Sequence, residues 1–100
     1  MRWKEGDVVL KIAICEDEKK FCDSAERMLN LYMEDKGLQF QVDVFNVPSE
    51  LVDMTEKGTI YDIYLLDIYM PGVTGMSIAT ELRSRGVKSP IIFLTHCTYF

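Results

Sequence analysis

Long apolar runs are missing from this chain: no hydrophobic stretch approaches the roughly 20 residues that cross a bilayer. No apolar signal-peptide core follows the amino terminus, Met1-Arg2-Trp3-Lys4-Glu5-Gly6-Asp7. The two absences exclude a membrane span of this kind and place the chain in the cytoplasm. Cations are the minority, 11 Lys and Arg against 16 Asp and Glu, for a formal net charge of -5. Phosphate backbones are held by clustered cations, so this balance argues against direct nucleic-acid binding by the segment. Histidine is scarce too. His96 stands alone beside Cys97, and without a second histidine or a nearby carboxylate pattern it reads as a surface loop residue. The cysteines, Cys15, Cys22 and Cys97, are odd in number and lack the close pairing of zinc sites. They read as core or surface thiols, which suits a reducing compartment.

One hundred residues suffice for one small domain, and 48% hydrophobic content is that of an ordinary globular chain. Residues 1–9 form a polar extension without periodicity. Lys4-Glu5-Gly6 can be encoded by a purine-rich, ribosome-binding-like stretch, so Val8, Val9 or Leu10 is a candidate true start. A disordered tail is the alternative, and an amino-terminal mass that retained Arg2 and Trp3 would end the start-site idea. The folded domain is expected over residues 10–100.

Leu10 to Cys15 reads as a first strand, rich in branched residues. From Lys19 to Lys36, Phe21, Ala25, Met28, Leu29 and Tyr32 recur at helical spacing, and Gly37 is a natural stop. Phe40, Val42 and Val44 alternate with polar residues, which predicts a second strand at a sheet edge. Pro48 opens a second helix packed through Leu51, Val52 and Met54 and ended by Gly58. Ile63 to Leu66 suits a third strand buried on both faces, and Asp67 ends it. Pro71, Gly72 and Gly75 then predict a loop. Thr74 can cap a third helix in which Ile78, Ala79 and Leu82 face the core, with Gly86 just past its end. Ile91 to Leu94 is a fourth buried strand, ending at Thr95. The order βαβαβαβ implies a doubly wound α/β fold, a parallel sheet with helices on both faces.

In a parallel sheet the strand ends share one edge, and that edge is where open α/β sheets place their working residues. Strand one ends in Glu16-Asp17, strand three in Asp67 and strand four in Thr95. Asp is also a common turn residue, so Asp67 alone could be a simple cap; likewise Glu16 to Glu18 could be a solvated acidic loop. Converging carboxylates raise one another's pKa unless something neutralises them. Mg²⁺ does so through one or two carboxylates with water and phosphate oxygens. A carboxylate beside it can attack a phosphoryl group and form an acyl phosphate.

The acidic pair Glu16-Asp17, then Asp67 in Leu-Leu-Asp-Ile-Tyr-Met-Pro-Gly-Val-Thr-Gly, then Thr95, resembles the receiver domain of two-component response regulators in residues and spacing. The wording Ile-Tyr-Leu-Leu-Asp-Ile-Tyr-Met-Pro and Ile-Ile-Phe-Leu-Thr looks most like receivers that precede a LytTR-type DNA-binding domain. The resemblance implies a flavodoxin-like fold with strand order 2-1-3-4, the fifth strand and last helices being absent here. It implies Asp67 as phosphoacceptor for a sensor histidine kinase. Mg²⁺ would be bound by Asp17 and Asp67 directly, by Glu16 through water and by the backbone carbonyl of Tyr69. Thr95 would hydrogen-bond the phosphoryl group. Activity would be at most self-catalysed transfer to, and hydrolysis from, Asp67, controlling transcription through an output domain, with a homodimer or another protein as further partner.

The family's fifth-strand lysine has no counterpart after Lys88, and loss of such a cation costs transition-state stabilisation. The absent last helix is expected to leave an apolar face on strands one and three, so that the 100-residue chain is poorly stable or self-associates. A sharp, concentration-independent melt of a monomer would count against this. A truncated pseudo-receiver that binds a partner without phosphorylation is the competing reading. A haloacid-dehalogenase-like phosphatase would need a second Asp two residues after the nucleophile, and Tyr69 occupies that place.

Overall fold

Strand pairing is parallel throughout the main sheet, so each crossover must pass over a face of it. The computed structural model describes residues 9–70 and 72–94. The elements run β1 (Val9–Cys15), α1 (Lys19–Lys36), β2 (Gln39–Phe45), α2 (Pro48–Glu56), β3 (Ile63–Asp67), β4 (Tyr69–Met70), β5 (Val73–Thr74), α3 (Gly75–Ser84) and β6 (Ile91–Leu94). The sheet order is β2-β1-β3-β6, the expected 2-1-3-4 with β6 as the fourth long strand. β1 lies inside the sheet, pairing Ile12 with Val42 on one side and with Ile63 on the other.

Side chains alternate across β1 and β3, and the alternation divides the core. Ala13, Cys15, Tyr64 and Leu66 pack with Leu51 of α2 and with Ile78 and Leu82 of α3. Ile12, Ile14 and Leu65 point the other way and meet Met33, Ala25 and Leu29 of α1. Ile12, Ile14, Leu51, Leu66 and Leu82 are at most 1% exposed, and burial of each such side chain stabilises the fold by about 1.5–3 kcal/mol. Thr74 caps α3, its Oγ1 accepting from the Ser77 N–H at 3.2 Å. Gly37 closes α1 in the left-handed conformation, φ 66°, where a Cβ would be strained.

A partly buried polar brace ties β2 to the segments that enter β3 and β6. The Tyr61 hydroxyl donates to Asp43 Oδ2 at 2.7 Å, and the Tyr61 N–H donates to the Tyr64 hydroxyl. Ser89 Oγ donates to the Tyr61 carbonyl at 2.6 Å. Burial, followed by the neighbouring Asp43, raises the Tyr61 phenol well above its ordinary range.

Three expectations are corrected. Helical spacing put Met28 and Tyr32 on the apolar face of α1, yet they are 71% and 57% exposed, while Cys22 and Met33 are the buried ones. The helix carries two neighbouring apolar stripes, and the sheet takes only the stripe through Cys22, Ala25, Leu29 and Met33. The other flank, with Leu65 and Leu94, walls an apolar groove of about 290 Å³. The groove therefore borders β3 and β6 rather than β1 and β3, since Ile12 and Ile14 of β1 are fully buried. The loop expected after Asp67 also contains a short antiparallel ribbon, β4 with β5.

Candidate functional site

The alternation that buries Ile12 and Ile14 carries on to Glu16, and the one that buries Leu65 carries on to Asp67. Both carboxylates thus leave adjacent strands in the same sense. Glu16 is fully buried and Asp67 is 2% exposed, whereas Asp17 is exposed. Carboxylate oxygens of Glu16, Asp17 and Asp67 lie within 4.8 Å of one another. Three hard oxygen donors of like charge at that separation could hold a divalent cation, of which Mg²⁺ takes one or two carboxylates from a protein.

The surrounding backbone holds them there. The Glu18 N–H donates to Glu16 Oε2 at 3.2 Å, and the Tyr69 N–H donates to Asp67 Oδ1 at 3.2 Å. Tyr69 lies on β4 with its side chain 75% exposed, so its connection to the cluster runs through the main chain. Behind Asp67, Gly75 opens α3 against the strand end: its N–H donates to the Ile68 carbonyl at 3.0 Å. A Cβ on Gly75 would meet the Asp67 carbonyl group, with its carbon 2.9 Å away.

Sulfur lines the inner wall. Cys15 is fully buried, and its Sγ lies 3.8 Å from Met70 Sδ. Burial first, then the negative charge of Asp67 with smaller contributions from Cys22, Glu16 and Asp17, pushes its pKa up to about 12. Cys22 is also raised, chiefly by burial and then by Glu16. Cys15 and Cys22 are free thiols in the core, as composition suggested; Cys97 and His96 lie outside the described residues.

Glu16, Asp17 and Asp67 are thus brought together, with Tyr69 beside them. Thr95 lies outside the described residues; the residue before it, Leu94, pairs with Asp67 in the β3–β6 register. Sequence reasoning missed three supporting residues. Gly75 was read only as a chain breaker. Cys22 and Asn46 both donate to the Glu16 carbonyl, at 3.3 and 3.1 Å, and nothing in a cysteine inside a helix or an asparagine after a strand signals that.

Comparison with known proteins agrees with this geometry. A family model described as the response regulator receiver domain matches residues 12–98. The chain is 33% identical over 86 residues to the transcriptional regulatory protein DltR of Streptococcus agalactiae, covering 86% of this chain and 35% of that protein. It is 34% identical over 85 residues to the transcriptional regulatory protein PcoR of Escherichia coli, covering 85% and 34%. The chain therefore spans about a third of the length of these relatives. Among solved structures, the N-terminal domain of a response regulator/sensory box/GGDEF protein from Carboxydothermus hydrogenoformans superposes with a TM-score of 0.72 at 26% identity, over 90% of this chain and 67% of the other. The response regulator TrrA of Thermotoga maritima, solved with Mg²⁺ and BeF, gives 0.64 at 27% identity, over 89% and 71%. No helix among the described residues is long and apolar enough to cross a membrane.

Proposed function

Because the chain belongs to the response regulator receiver domain family, we propose that Asp67 accepts a phosphoryl group from a phosphohistidine on a sensor histidine kinase. The observation that carries this reading is the convergence of Glu16, Asp17 and Asp67 within 4.8 Å at the carboxyl edge of the sheet. An Asp67 carboxylate oxygen attacks phosphorus in line with the imidazole nitrogen. The O–P bond forms as the P–N bond breaks, and the electron pair leaves with the imidazole, which takes a proton from solvent. Asp17 and Asp67 would hold Mg²⁺, with Glu16 helping through water and the Tyr69 carbonyl as a further protein ligand. When bound, the ion would supply positive charge against the carboxylates and the phosphoryl oxygens. The Tyr69 N–H on Asp67 Oδ1 supports this, since it orients one carboxylate oxygen. Thr95 donates to a phosphoryl oxygen and draws its loop inward, which carries the change to a distant face.

The response controls an output domain, and the transcriptional regulators among the relatives support transcription as that output. The wording around Asp67 and Thr95 supports a LytTR-type domain as the finer reading. The kinase, and a second copy of the chain, are the proposed partners.

The test is a titration with beryllofluoride and Mg²⁺, a phosphoryl mimic, against the parent chain and Asp67→Asn. Saturable binding is expected for the parent, with stabilisation of about 2.7 kcal/mol at a hundredfold excess over Kd, and none for the variant. Equal behaviour of the two proteins would remove the phosphoacceptor and leave an interaction module that works without phosphorylation.

A further inference from the structure

The β1–β2 ladder changes character at the residue where the acid cluster begins. Cys15 pairs with Phe45 in parallel register, and the next rung is the Glu16 N–H donating to the Phe45 carbonyl at 3.0 Å. Continued regularly, the ladder would offer the Glu16 carbonyl the backbone N–H of Val47. β2 has ended by then, and Val47 is the N-cap of α2. The side chain of Asn46 makes the rung instead, its Nδ2 donating to the Glu16 carbonyl at 3.1 Å. From the first turn of α1, Cys22 Sγ donates to the same oxygen at 3.3 Å. The pair is closed by Asn46 Nδ2 against Cys22 Sγ at 3.6 Å.

Resting on the Mg²⁺-dependent phosphoacceptor reading, we propose that Asn46 and Cys22 form a clasp that fixes the Glu16–Asp17 peptide plane and thereby positions both carboxylates for the metal. Glu16 is fully buried, so rotation of this peptide would strand a carbonyl that has no water to turn to. The plane that ends in the Glu16 carbonyl begins the Asp17 residue, and its orientation sets where the Asp17 carboxylate starts. Neither clasp residue touches the metal; both are positioning residues. Chemically they are suited to this: Asn supplies two N–H donors, while the thiol donates through hydrogen and accepts through sulfur at once. The clasp also links three elements, since Asn46 follows β2, Cys22 belongs to α1 and Glu16 follows β1.

The experiment measures Mg²⁺ affinity by titration calorimetry, with melting in EDTA followed in parallel, for the parent, Asn46→Ala, Cys22→Ala and Cys22→Ser. Removing an outer-shell partner commonly weakens metal binding about tenfold or more. A loss of about that size is expected for Asn46→Ala, and a smaller one for Cys22→Ala. Cys22→Ser keeps a donor at the same place and is expected to stay within about twofold of the parent. The Asp17 amide resonance of the metal-free protein should move in both alanine variants and return in Cys22→Ser. Should Asn46→Ala fail to fold, the Cys22 pair decides. Parent-like Mg²⁺ affinity in the folded alanine variants would overturn the clasp alone. A parent that binds no Mg²⁺ would overturn the metal-dependent reading and the clasp with it.

Discussion

Replacing Gly75 with alanine is expected to destabilise the fold by about 3 kcal/mol and to displace Asp67 from its acidic neighbours. The added methyl would fall onto the Asp67 carbonyl oxygen, 2.9 Å from the carbonyl carbon and 3.3 Å from the Ile68 Cα. All three atoms are backbone, so no rotamer change relieves the contact. Either α3 must tilt away from β3 or the end of β3 must bend, and the Gly75 N–H bond to the Ile68 carbonyl is stretched in both cases. Helix propensity works in the opposite direction, since alanine is better than glycine in a helix by about 1 kcal/mol. Overpacking against rigid backbone outweighs that gain. Urea unfolding reads the first effect and Mg²⁺ affinity the second. Met76→Ala, at a neighbouring position that is 55% exposed, serves as control and should stay within about 0.5 kcal/mol. A Gly75→Ala midpoint equal to that of the parent would refute the close-packing argument.

The second large effect is alkaline. In the fold, Cys15 keeps its proton up to about 12, against an ordinary value of 9.0. Cys22, Tyr61 and Tyr64 are raised as well, each with burial as the first cause. Between pH 9.0 and 12 the unfolded chain has released the Cys15 proton while the folded chain still binds it. The folded state holds more protons there, so stability falls as pH rises. Stability from this source is complete below pH 9.0 and is lost as the pH climbs toward the folded value. Each such group contributes a slope of about 1.4 kcal/mol per pH unit where only the unfolded form has ionised. Denaturant melts from pH 8 to 11 should therefore show a steep alkaline decline, which Cys15→Ala makes shallower. A flat profile, or one unchanged by that substitution, would show that Cys15 is not held neutral by its surroundings.

Much of the architecture could be read in advance where pattern and topology agree. Residues Lys19 to Lys36 have the bounds of α1 because eighteen residues give five turns of periodicity, closed by a left-handed Gly37. The acidic site was legible for a different reason: once the strands are parallel, their carboxyl ends must share an edge, and Glu16, Asp17 and Asp67 follow. Periodicity failed where one helix carries more apolar surface than its neighbours cover, so Met28 and Tyr32 looked like core. It had nothing to say about β4 and β5, since two-residue strands have no period. Gly75 and Asn46 stayed hidden because what each does depends on a backbone group brought close by the fold: the Asp67 carbonyl for one, the Glu16 carbonyl for the other.

Leu65 and Leu94 floor the apolar groove, one on the strand that carries the candidate phosphoacceptor and one on the strand paired with it. Leu65 lies two residues before Asp67, and Leu94 is its register partner. The Ile68 N–H also donates to the Leu94 carbonyl at 3.2 Å, so the ladder reaches past the acid itself. A body seated in the groove and a charge change at Asp67 would thus act on one shared pair of strands. Linkage makes any such influence reciprocal and equal in free energy. A groove occupant that tightens the hold on a phosphoryl mimic must be held more tightly, by the same factor, once the mimic is bound.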